Sequence, residues 1–301
     1  MSTIKKEVTK EYDGRKIREY LKEEMGLSSR LIRGASIDKR IFVNNKAVKM
    51  NYIIKYKDIV LIDLAKEETQ NIEPENIKID IVYEDEDIIV VNKPPNMVVH
   101  PTKRHQSGTL ANALMYYFKE SNQKCIVRLV SRLDMDTSGL IIIAKNQYSH
   151  MELSKEMSLN NVEKRYLAVV HGNLKEKKGT IDLPIYRPEV EGTIKRVVDE
   201  RGQRSITHYK VIESFKNADL VECLLETGRT HQIRVHLSHL GHPIYGDTLY
   251  GFEEDSEIIK RQSLHAYGLD FKSPRTKKEL TLRAELPDDI KELIEEIKSY
   301  K

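Results

Sequence analysis

The sequence predicts an α+β fold, in which a small N-terminal αβ unit precedes a larger domain built on a mixed, largely antiparallel sheet. The first observation is length, because 301 residues exceed the usual size of one domain. The second is that apolar runs of strand length follow one another without single crossover helices, which favours antiparallel pairing. The third is charge: residues 1–60 carry fifteen Lys and Arg against eight Asp and Glu, whereas residues 61–90 carry two against ten.

This change of charge suggests a basic module that binds a polyanion, joined by an acidic connector to a larger body. A solvated charged surface would produce the same counts, so charge alone leaves both interpretations open. Within the basic module, residues 1–12 are predicted to be an N-terminal tail and residues 13–64 a folded unit. Ile17, Leu21 and Met25 repeat at helical spacing, and Gly26 ends this first helix as a left-handed cap.

A second short helix is predicted after the first, because Ser28 and Ser29 offer an N-cap. One face of that helix would point Arg30 and Arg33 outward, where both can reach phosphates. Strands are expected over residues 41–43, 47–50 and 58–62, the first two flanking an Asn-Asn turn. The unit is therefore predicted to be two helices followed by a small sheet.

The acidic, polar segment over residues 65–78 is the best candidate for a linker, since Pro74 interrupts it. The larger domain is then predicted over residues 79–301, with a final helix from Pro287 covering the sheet. Apolar patterns predict one further helix over residues 110–118 and strands over residues 79–83, 88–91, 140–144, 166–170, 206–215, 220–225 and 280–284.

Composition argues against several protein classes. The two cysteines, Cys125 and Cys223, lie far apart and outside any CxxC pattern, so neither a disulfide framework nor a thiolate metal site is expected. The first ten residues lack the apolar core of a signal peptide, and no later run is long enough to span a bilayer. A soluble cytoplasmic protein is expected, without membrane attachment.

The most informative stretch is VSRLDMDTSGLIIIAKN, residues 130–146, in which a polar loop leads directly into an apolar strand. A loop on a rigid strand is a common place for catalytic side chains, although an aspartate in such a turn is more often a capping residue. Two further blocks supply context: EKRYLAVVHG, residues 163–172, and LETGRTHQIRVHLSHLGHPIYGD, residues 225–247.

Together, the three blocks resemble the RluA-type family of ribosomal and transfer RNA pseudouridine synthases. The resemblance covers nearly the whole chain, including VNKPPNMVVHPT at residues 91–102. Residues 28–48, SSRLIRGASIDKRIFVNNKAV, resemble the small RNA-binding domain named after ribosomal small-subunit protein four (S4). The resemblance implies a pseudouridine synthase fold and an isomerase that converts uridine to pseudouridine in structured RNA, with RluD-like action on large-subunit ribosomal RNA expected first and transfer RNA second.

The resemblance also implies roles for four residues. Asp134 matches the nucleophilic aspartate, Arg234 the basic residue paired with it, and Tyr166 the tyrosine that packs against the target base. Arg132 matches the arginine that fills the space left when the nucleotide flips out. The chain departs from the family at two neighbouring positions, Ser131 where histidine is common and Asn96 where glycine is common, and both bear on substrate preference.

The chemistry explains why an aspartate and an arginine are needed. An ionised carboxylate could attack ribose C1′, add to the base at C6, or remove a proton from C2′ to give a glycal, and the sequence leaves all three routes open. Arg234, a permanent cation, would keep Asp134 charged inside a pocket. Uracil carries all the electrons needed for the isomerisation, and neither GxGxxG nor a GxxxxGKS-type loop occurs, so no cofactor is expected.

The target base must leave a folded RNA, at a cost of a few kcal/mol. An aromatic face such as that of Tyr166 contributes about 1–3 kcal/mol by stacking, and the guanidinium of Arg132 can occupy the gap. Four further cations are predicted to contact phosphates around the cleft, which would make RNA affinity fall steeply with salt: Arg229, Lys93, Lys103 and Arg104.

Two other functions compete with this interpretation. A metal enzyme is suggested by His231, His236, His239 and His242 with Asp247 close behind, but HExxH is absent and no carboxylate lies within the histidine run, so no metal is expected. A non-catalytic RNA-binding or ribosome-assembly factor would share the basic N-terminal unit. A monomer is the default expectation for the oligomeric state.

Overall fold

The computed structural model describes residues 3–64, 70–190 and 192–299. Within these ranges the strands form a four-stranded sheet near the N-terminus, a ten-stranded sheet in the rest of the chain, and a separate two-stranded ribbon. Strand pairing in the larger sheet is antiparallel except for one parallel pair. The predicted α+β class with a mixed, largely antiparallel sheet is confirmed.

The N-terminal unit has two helices over a sheet. Its helices are α1 (Ile17–Glu23) and α2 (Ser29–Ile37), and its strands, in the spatial order β1-β4-β2-β3, are β1 (Thr3–Glu7), β4 (Ile59–Asp63), β2 (Ile41–Val43) and β3 (Lys46–Ala47). The predicted cap of α2 is confirmed, because the Ser28 hydroxyl accepts a hydrogen bond from the Leu31 amide at 3.2 Å. Gly26 has φ +66°, as a left-handed cap requires.

Two details of this unit differ from prediction. The tail predicted over residues 1–12 is wrong for residues 3–12, because β1 pairs with β4 and the side chains of Val8 and Tyr12 are buried. The strand predicted over residues 47–50 is shorter, since β3 ends at Ala47. The sequence of β1, TIKKE, shows no clear alternation of apolar and polar residues because of its two lysines. The strand that it pairs with lies more than fifty positions later in the chain.

The larger sheet holds its strands in the spatial order β10-β13-β14-β9-β15-β8-β6-β5, with β16 beside β15 and β7 beside β8. The bounds are β5 (Asp80–Glu84), β6 (Ile88–Lys93), β7 (Arg128–Leu129), β8 (Ser138–Ala144), β9 (Glu163–His171), β10 (Lys178–Asp182), β13 (Ile206–Ser214), β14 (Ala218–Leu225), β15 (Leu264–Lys272) and β16 (Glu279–Arg283). The ribbon pairs β11 (Ile185–Tyr186) with β12 (Val197–Val198).

Four helices accompany this sheet: α3 (Leu110–Glu120), α4 (Gln147–Ser158), α5 (Gln232–His239) and α6 (Asp288–Ser299). The predicted role of the last helix is confirmed, since Ile290, Leu293, Ile294 and Ile297 of α6 pack in one cluster with residues of β9 and β14. Two short 3₁₀ helices, Lys10–Tyr12 and Glu253–Glu257, complete the elements of the described ranges.

Sequence patterns missed β15 and α4. Strand β15 lies between β9 and β8 and makes the parallel pair with β8, but its sequence LHAYGLDFK is broken by His265, Gly268 and Asp270. Helix α4 has few apolar residues, and it is defined instead by its cap, in which the Asn146 side chain accepts from the Ser149 amide at 2.9 Å. Both elements are buried by contacts with residues distant in sequence, and local sequence patterns do not show such contacts.

The predicted linker is only partly described, because residues 65–69 lie outside the described residues. Residues 70–78 have no helix or strand and lie along α3. Ile72 is buried, the Asn112 amide donates to the Glu73 carbonyl at 2.8 Å, and the Glu75 amide donates back to the Asn112 carbonyl at 3.1 Å. This part of the segment is therefore packed against the larger sheet's helices.

In the parts of the chain that the structure describes, no helix is both long and apolar enough to cross a membrane.

Candidate active site

The loop before β8 is held at its base by a close approach of two strands. Gly139 has φ +112°, and a Cβ at this position would lie 2.3 Å from the carbonyl oxygen of Ala266 on β15. Only glycine is compatible with that conformation and that distance. Beyond it, the Thr137 amide donates to the Asp134 carbonyl at 3.2 Å, which turns the loop so that Asp134 lines a cleft.

A buried lysine supports the same loop from below. The Nζ of Lys93, at the end of β6, donates to the carbonyl oxygens of Pro94, Met97 and Met135 at 2.7, 2.9 and 2.8 Å. Its side chain is 1% exposed. Burial lowers the pKa of Lys93 to about 7, against the opposing charges of Asp136 and Asp134.

Asp134 and Arg234 meet across the cleft. Arg234 lies in the first turn of α5, and its Nη1 donates to Oδ2 of Asp134 at 3.1 Å. Its Nε and Nη2 donate to the two carboxylate oxygens of Asp247, at 2.7 and 2.8 Å. Burial would lower the pKa of Arg234, but its ion pairs with Asp247 and Asp134 outweigh burial and raise it. One guanidinium thus joins an enclosed carboxylate to one that faces the cleft.

Asp247 is itself tightly held. Its side chain is fully withdrawn from solvent, and Oδ1 also accepts hydrogen bonds from the amides of Leu249 and Tyr250, both at 3.1 Å. The side chain of Asp134, in contrast, is 27% exposed. The difference marks Asp134 as the carboxylate available to a ligand and Asp247 as the one that orients Arg234.

His231 forms a second contact to the same carboxylate. Its Nε2 lies 3.8 Å from Oδ2 of Asp134, and its Nδ1 is 2.8 Å from the hydroxyl of Tyr250, which accepts from the Arg196 amide at 2.8 Å. Burial lowers the pKa of His231, opposed by the charge of Asp134 and aided by that of Arg234. The imidazole is therefore neutral at neutral pH.

Tyr166 closes one side of the cleft. It lies on β9 opposite Cys223, is 8% exposed, and has its pKa raised by burial and then by the charge on Asp134, so the phenol stays protonated. The cavity has a volume of about 790 Å³. Its lining comes from the loop before β8, the end of α4, strands β9 and β14, the segment that leads into α5 with the first turn of α5, and the start of β15. The predicted site residues come from three separate stretches of the sequence, and all of them line the cavity: Arg132, Asp134, Tyr166, Arg229 and Arg234.

The predicted phosphate contacts divide into three groups. Arg132 and Arg229 are exposed at the cleft. Lys103 and Arg104 are exposed on the loop of residues 101–108 and do not line the cavity. The prediction for Lys93 is wrong, because its ammonium hydrogens are all donated to backbone carbonyls and the side chain is buried.

Arg30 and Arg33 lie on the exposed face of α2, as predicted, opposite the buried Leu31, Ile32 and Ala35.

The histidines of the metal interpretation serve other contacts. His236 is buried, with Nδ1 2.9 Å from the Thr207 hydroxyl and Nε2 3.0 Å from the Leu183 carbonyl oxygen. Asp247 is bound to Arg234 as described above. Across the described ranges, no group of three or more His, Cys, Asp or Glu side chains is arranged to hold a metal ion.

Sequence reasoning missed three residues of the site. Asp247 was considered only as a metal ligand, and Lys164 and Tyr250 were not singled out. Lys164 stands two positions before Tyr166, so the alternation of strand β9 was a signal that both could face the same cavity. Tyr250 carried no such signal, because its contact to His231 depends on the turn after Asp247.

Comparison with known proteins gives a consistent result. The family model described as RNA pseudouridylate synthase matches residues 87–239. The uncharacterized RNA pseudouridine synthase YhcT of Bacillus subtilis is 39% identical, over 95% of this chain and 94% of its own. Ribosomal large subunit pseudouridine synthase D of Zymomonas mobilis is 40% identical, over 79% of this chain and 78% of its own. Among solved structures, human RNA pseudouridylate synthase domain containing 1 superposes with a TM-score of 0.58, at 27% identity, over 74% of this chain and 95% of that chain.

Proposed function

The chain belongs to the RNA pseudouridylate synthase family and is an RNA pseudouridine synthase, and we propose that it isomerises uridine in large-subunit ribosomal RNA by chemistry centred on Asp134. The observation that carries this proposal is the contact between Asp134 Oδ2 and Arg234 Nη1, at 3.1 Å, inside a cleft that Tyr166 closes. A non-catalytic RNA-binding factor is set aside, since the family is one of enzymes.

The reaction breaks the bond between uracil N1 and ribose C1′, forms a bond between C5 and C1′, and moves one proton from C5 to N1. Asp134 is the group that starts it, by attack at C1′, by addition at C6, or by removal of a proton from C2′. Arg234 keeps the carboxylate ionised and fixes the orientation of its oxygens. Asp247 in turn holds Arg234, because two of its hydrogen bonds occupy the far side of the guanidinium.

Entry of the uracil requires that the nucleotide leave its stack, which costs a few kcal/mol. Tyr166 lies where its ring can contact the extruded base, and such stacking returns about 1–3 kcal/mol. Arg132 is exposed at the cleft and makes no hydrogen bond or ion pair with any residue that the structure describes, so its guanidinium is available to fill the space in the RNA.

The N-terminal unit, residues 13–64, is proposed to be an S4-like RNA-binding domain, and residues 79–301 the catalytic domain. Arg30 and Arg33 on the exposed face of α2 offer two guanidinium groups to RNA phosphates. Ribosomal RNA is preferred over transfer RNA because several relatives carry the name ribosomal large subunit pseudouridine synthase D. Action as a monomer, without a cofactor, in the cytoplasm where ribosomes assemble, completes the proposal.

Mapping pseudouridines in ribosomal and transfer RNA from cells that lack this protein tests the substrate. One or more sites in large-subunit ribosomal RNA should lose the modification, and the wild-type gene should restore it while the Asp134→Asn gene should not. Loss confined to transfer RNA would overturn the ribosomal assignment but not the activity. An unchanged map in both RNAs would contradict the proposed function.

A further inference from the structure

Among the described residues, Lys164 differs from the other lysines and arginines with buried or half-buried side chains, because its ammonium group contacts no hydrogen-bond acceptor or carboxylate of the protein. Lys93 donates to three carbonyls, Lys145 to Glu84 at 2.8 Å, and Arg261 to Asp289 at 2.7 and 2.8 Å. Lys164 is half-buried on β9, and among the residues that the structure describes it makes neither a hydrogen bond nor an ion pair through its side chain. Burial lowers its pKa, as expected of an ammonium group without a counter-ion.

The side chain of Lys164 points into the cleft. Lys164 and Tyr166 are two positions apart on one strand and therefore share a face, and both line the cavity with Asp134. Its ammonium group lies close to Gly228, another residue of the cleft lining, since a Cβ added at Gly228 would be 3.7 Å from Lys164 Nζ. The cation is thus at the wall of the cleft.

The carboxylates that share the cavity with Lys164 or adjoin it in sequence contact other residues, and Asp134 among them contacts Arg234. Glu226, which lines the same cavity, lies 2.7 Å from Nε2 of His208, and Glu163 pairs with Arg165. An ammonium group withdrawn from water and left without an anion is unfavourable unless a ligand supplies one. Because the proposed substrate is an RNA, the anion that it brings into this cleft is a backbone phosphate.

Resting on the function proposed above, we propose that Lys164 binds a phosphate of the extruded uridine and so positions that nucleotide against Tyr166 and Asp134. The contact differs from those of exposed arginines at the rim, because it forms only when the nucleotide has entered the cleft. A charge-assisted contact of this kind strengthens binding by about tenfold or more.

Competition binding of uridine 3′,5′-bisphosphate and of uridine to the full chain tests this assignment, with Lys164→Met, Lys164→Arg and the control Lys155→Met. Lys155 is an exposed lysine on α4 outside the cavity, so its removal changes the net charge equally. The wild-type chain and Lys155→Met should bind the bisphosphate at least about tenfold more tightly than uridine. Lys164→Met should lose most of that difference, and Lys164→Arg should keep much of it.

Two measurements separate this role from the alternatives. The thermal unfolding temperature of Lys164→Met should equal or exceed that of the wild type, because the substitution removes an unpaired, half-buried charge. Equal weakening of uridine and bisphosphate binding would indicate a contact to the base and overturn the phosphate assignment, as would an unchanged preference in Lys164→Met. Isomerisation of ribosomal RNA by the wild-type chain is measured in parallel. If the wild-type chain is active and Lys164→Met still prefers the bisphosphate to uridine as the wild type does, only the role of Lys164 is refuted. If the wild-type chain is inactive on every RNA, the proposed function is refuted.

Discussion

Arg234 and Asp247 form a two-point ion pair in which Nε and Nη2 of the guanidinium meet both carboxylate oxygens, at 2.7 and 2.8 Å. This leaves Nη1 directed at Asp134. Asp134, the carboxylate proposed to act on substrate, is therefore oriented by a second carboxylate through one shared guanidinium. Stability and activity should both depend on the pair.

Asp247→Asn should lower the free energy of unfolding by about 3–5 kcal/mol, because an amide leaves a buried guanidinium without its counter-charge. Turnover should fall by more than about tenfold, since Arg234 is free to rotate away from Asp134. Chemical denaturation and single-turnover isomerisation measure the two effects. Asp182→Asn, which removes a carboxylate 3.4 Å from the exposed Arg204, is the control and should change neither quantity.

Asp134→Asn should abolish isomerisation, by at least about a thousandfold, while RNA affinity stays within a few-fold of the wild type. The amide preserves the shape of the side chain but can neither attack carbon nor accept a proton. Pseudouridine quantification in treated RNA measures the first quantity, and filter binding the second. Residual turnover near the wild-type rate would remove Asp134 from the mechanism.

Substitutions of Tyr166 distinguish a ring that stacks on the base from a hydroxyl that transfers a proton. Burial and the nearby charge of Asp134 raise the pKa of Tyr166, so its phenol is a poor base at neutral pH. Tyr166→Phe should therefore keep most of the single-turnover rate, whereas Tyr166→Ala should lose roughly 1–3 kcal/mol of transition-state stabilisation, which is about five- to 150-fold in rate. A Phe variant as slow as the Ala variant would show that the hydroxyl takes part.

Lys93→Met should weaken both the fold and the site. Three carbonyl oxygens lose their donor, and one of them belongs to Met135, the residue after Asp134. Leaving buried acceptors unpaired costs about 1–3 kcal/mol each at most, so the unfolding free energy and the isomerisation rate should both fall. Lys155→Met, at an exposed lysine on α4 outside the cavity, is the matched control. Wild-type behaviour of Lys93→Met in both assays would remove its supporting role.

Acid should destabilise the fold through His265. This histidine is buried beside Ser138, with 2.9 Å between Nδ1 and the hydroxyl, and burial lowers its pKa from 6.5 to about 4. The unfolded chain takes up the proton first, so this stability is present above pH 6.5 and is lost as pH falls toward 4. The contribution lost between pH 7 and pH 5 should be about 2 kcal/mol.

Denaturant titrations at pH 7 and pH 5 measure this dependence. His265→Gln should flatten it, while the exposed His239→Gln should leave the slope unchanged. Equal slopes for His265→Gln and the wild type would assign the acid sensitivity to other groups.

Local patterns predicted much of the fold, and long-range contacts account for what they missed. The cap at Ser28 and the apolar run of β8 are encoded by adjacent residues, and both are present. Strand β15 contains a buried histidine and a glycine, so its place in the sheet depends on β8 and β9 rather than on its own alternation. Lys93 was predicted to contact phosphates around the cleft, and only the three facing carbonyl oxygens explain its burial instead.

The site shows the same division. Asp134, Tyr166 and Arg234 were identified through their motifs, and the structure brings all three to one cleft although Asp134 and Arg234 are one hundred positions apart. The motif around Asp247 suggested a metal ligand, since a sequence does not show which cation a carboxylate will face. Geometry was needed to identify its partner as Arg234.

Strand β15, residues 264–272, joins the half of the sheet that carries the Asp134 loop to the half that carries Tyr166 and Arg234. During synthesis on the ribosome this strand, which begins with the cleft-lining Leu264, is made after all the other residues that line the cleft. A nascent chain that stops short of it lacks the strand that pairs with β8 on one side and with β9 on the other. Competence to modify RNA therefore cannot precede the synthesis of residues 264–272.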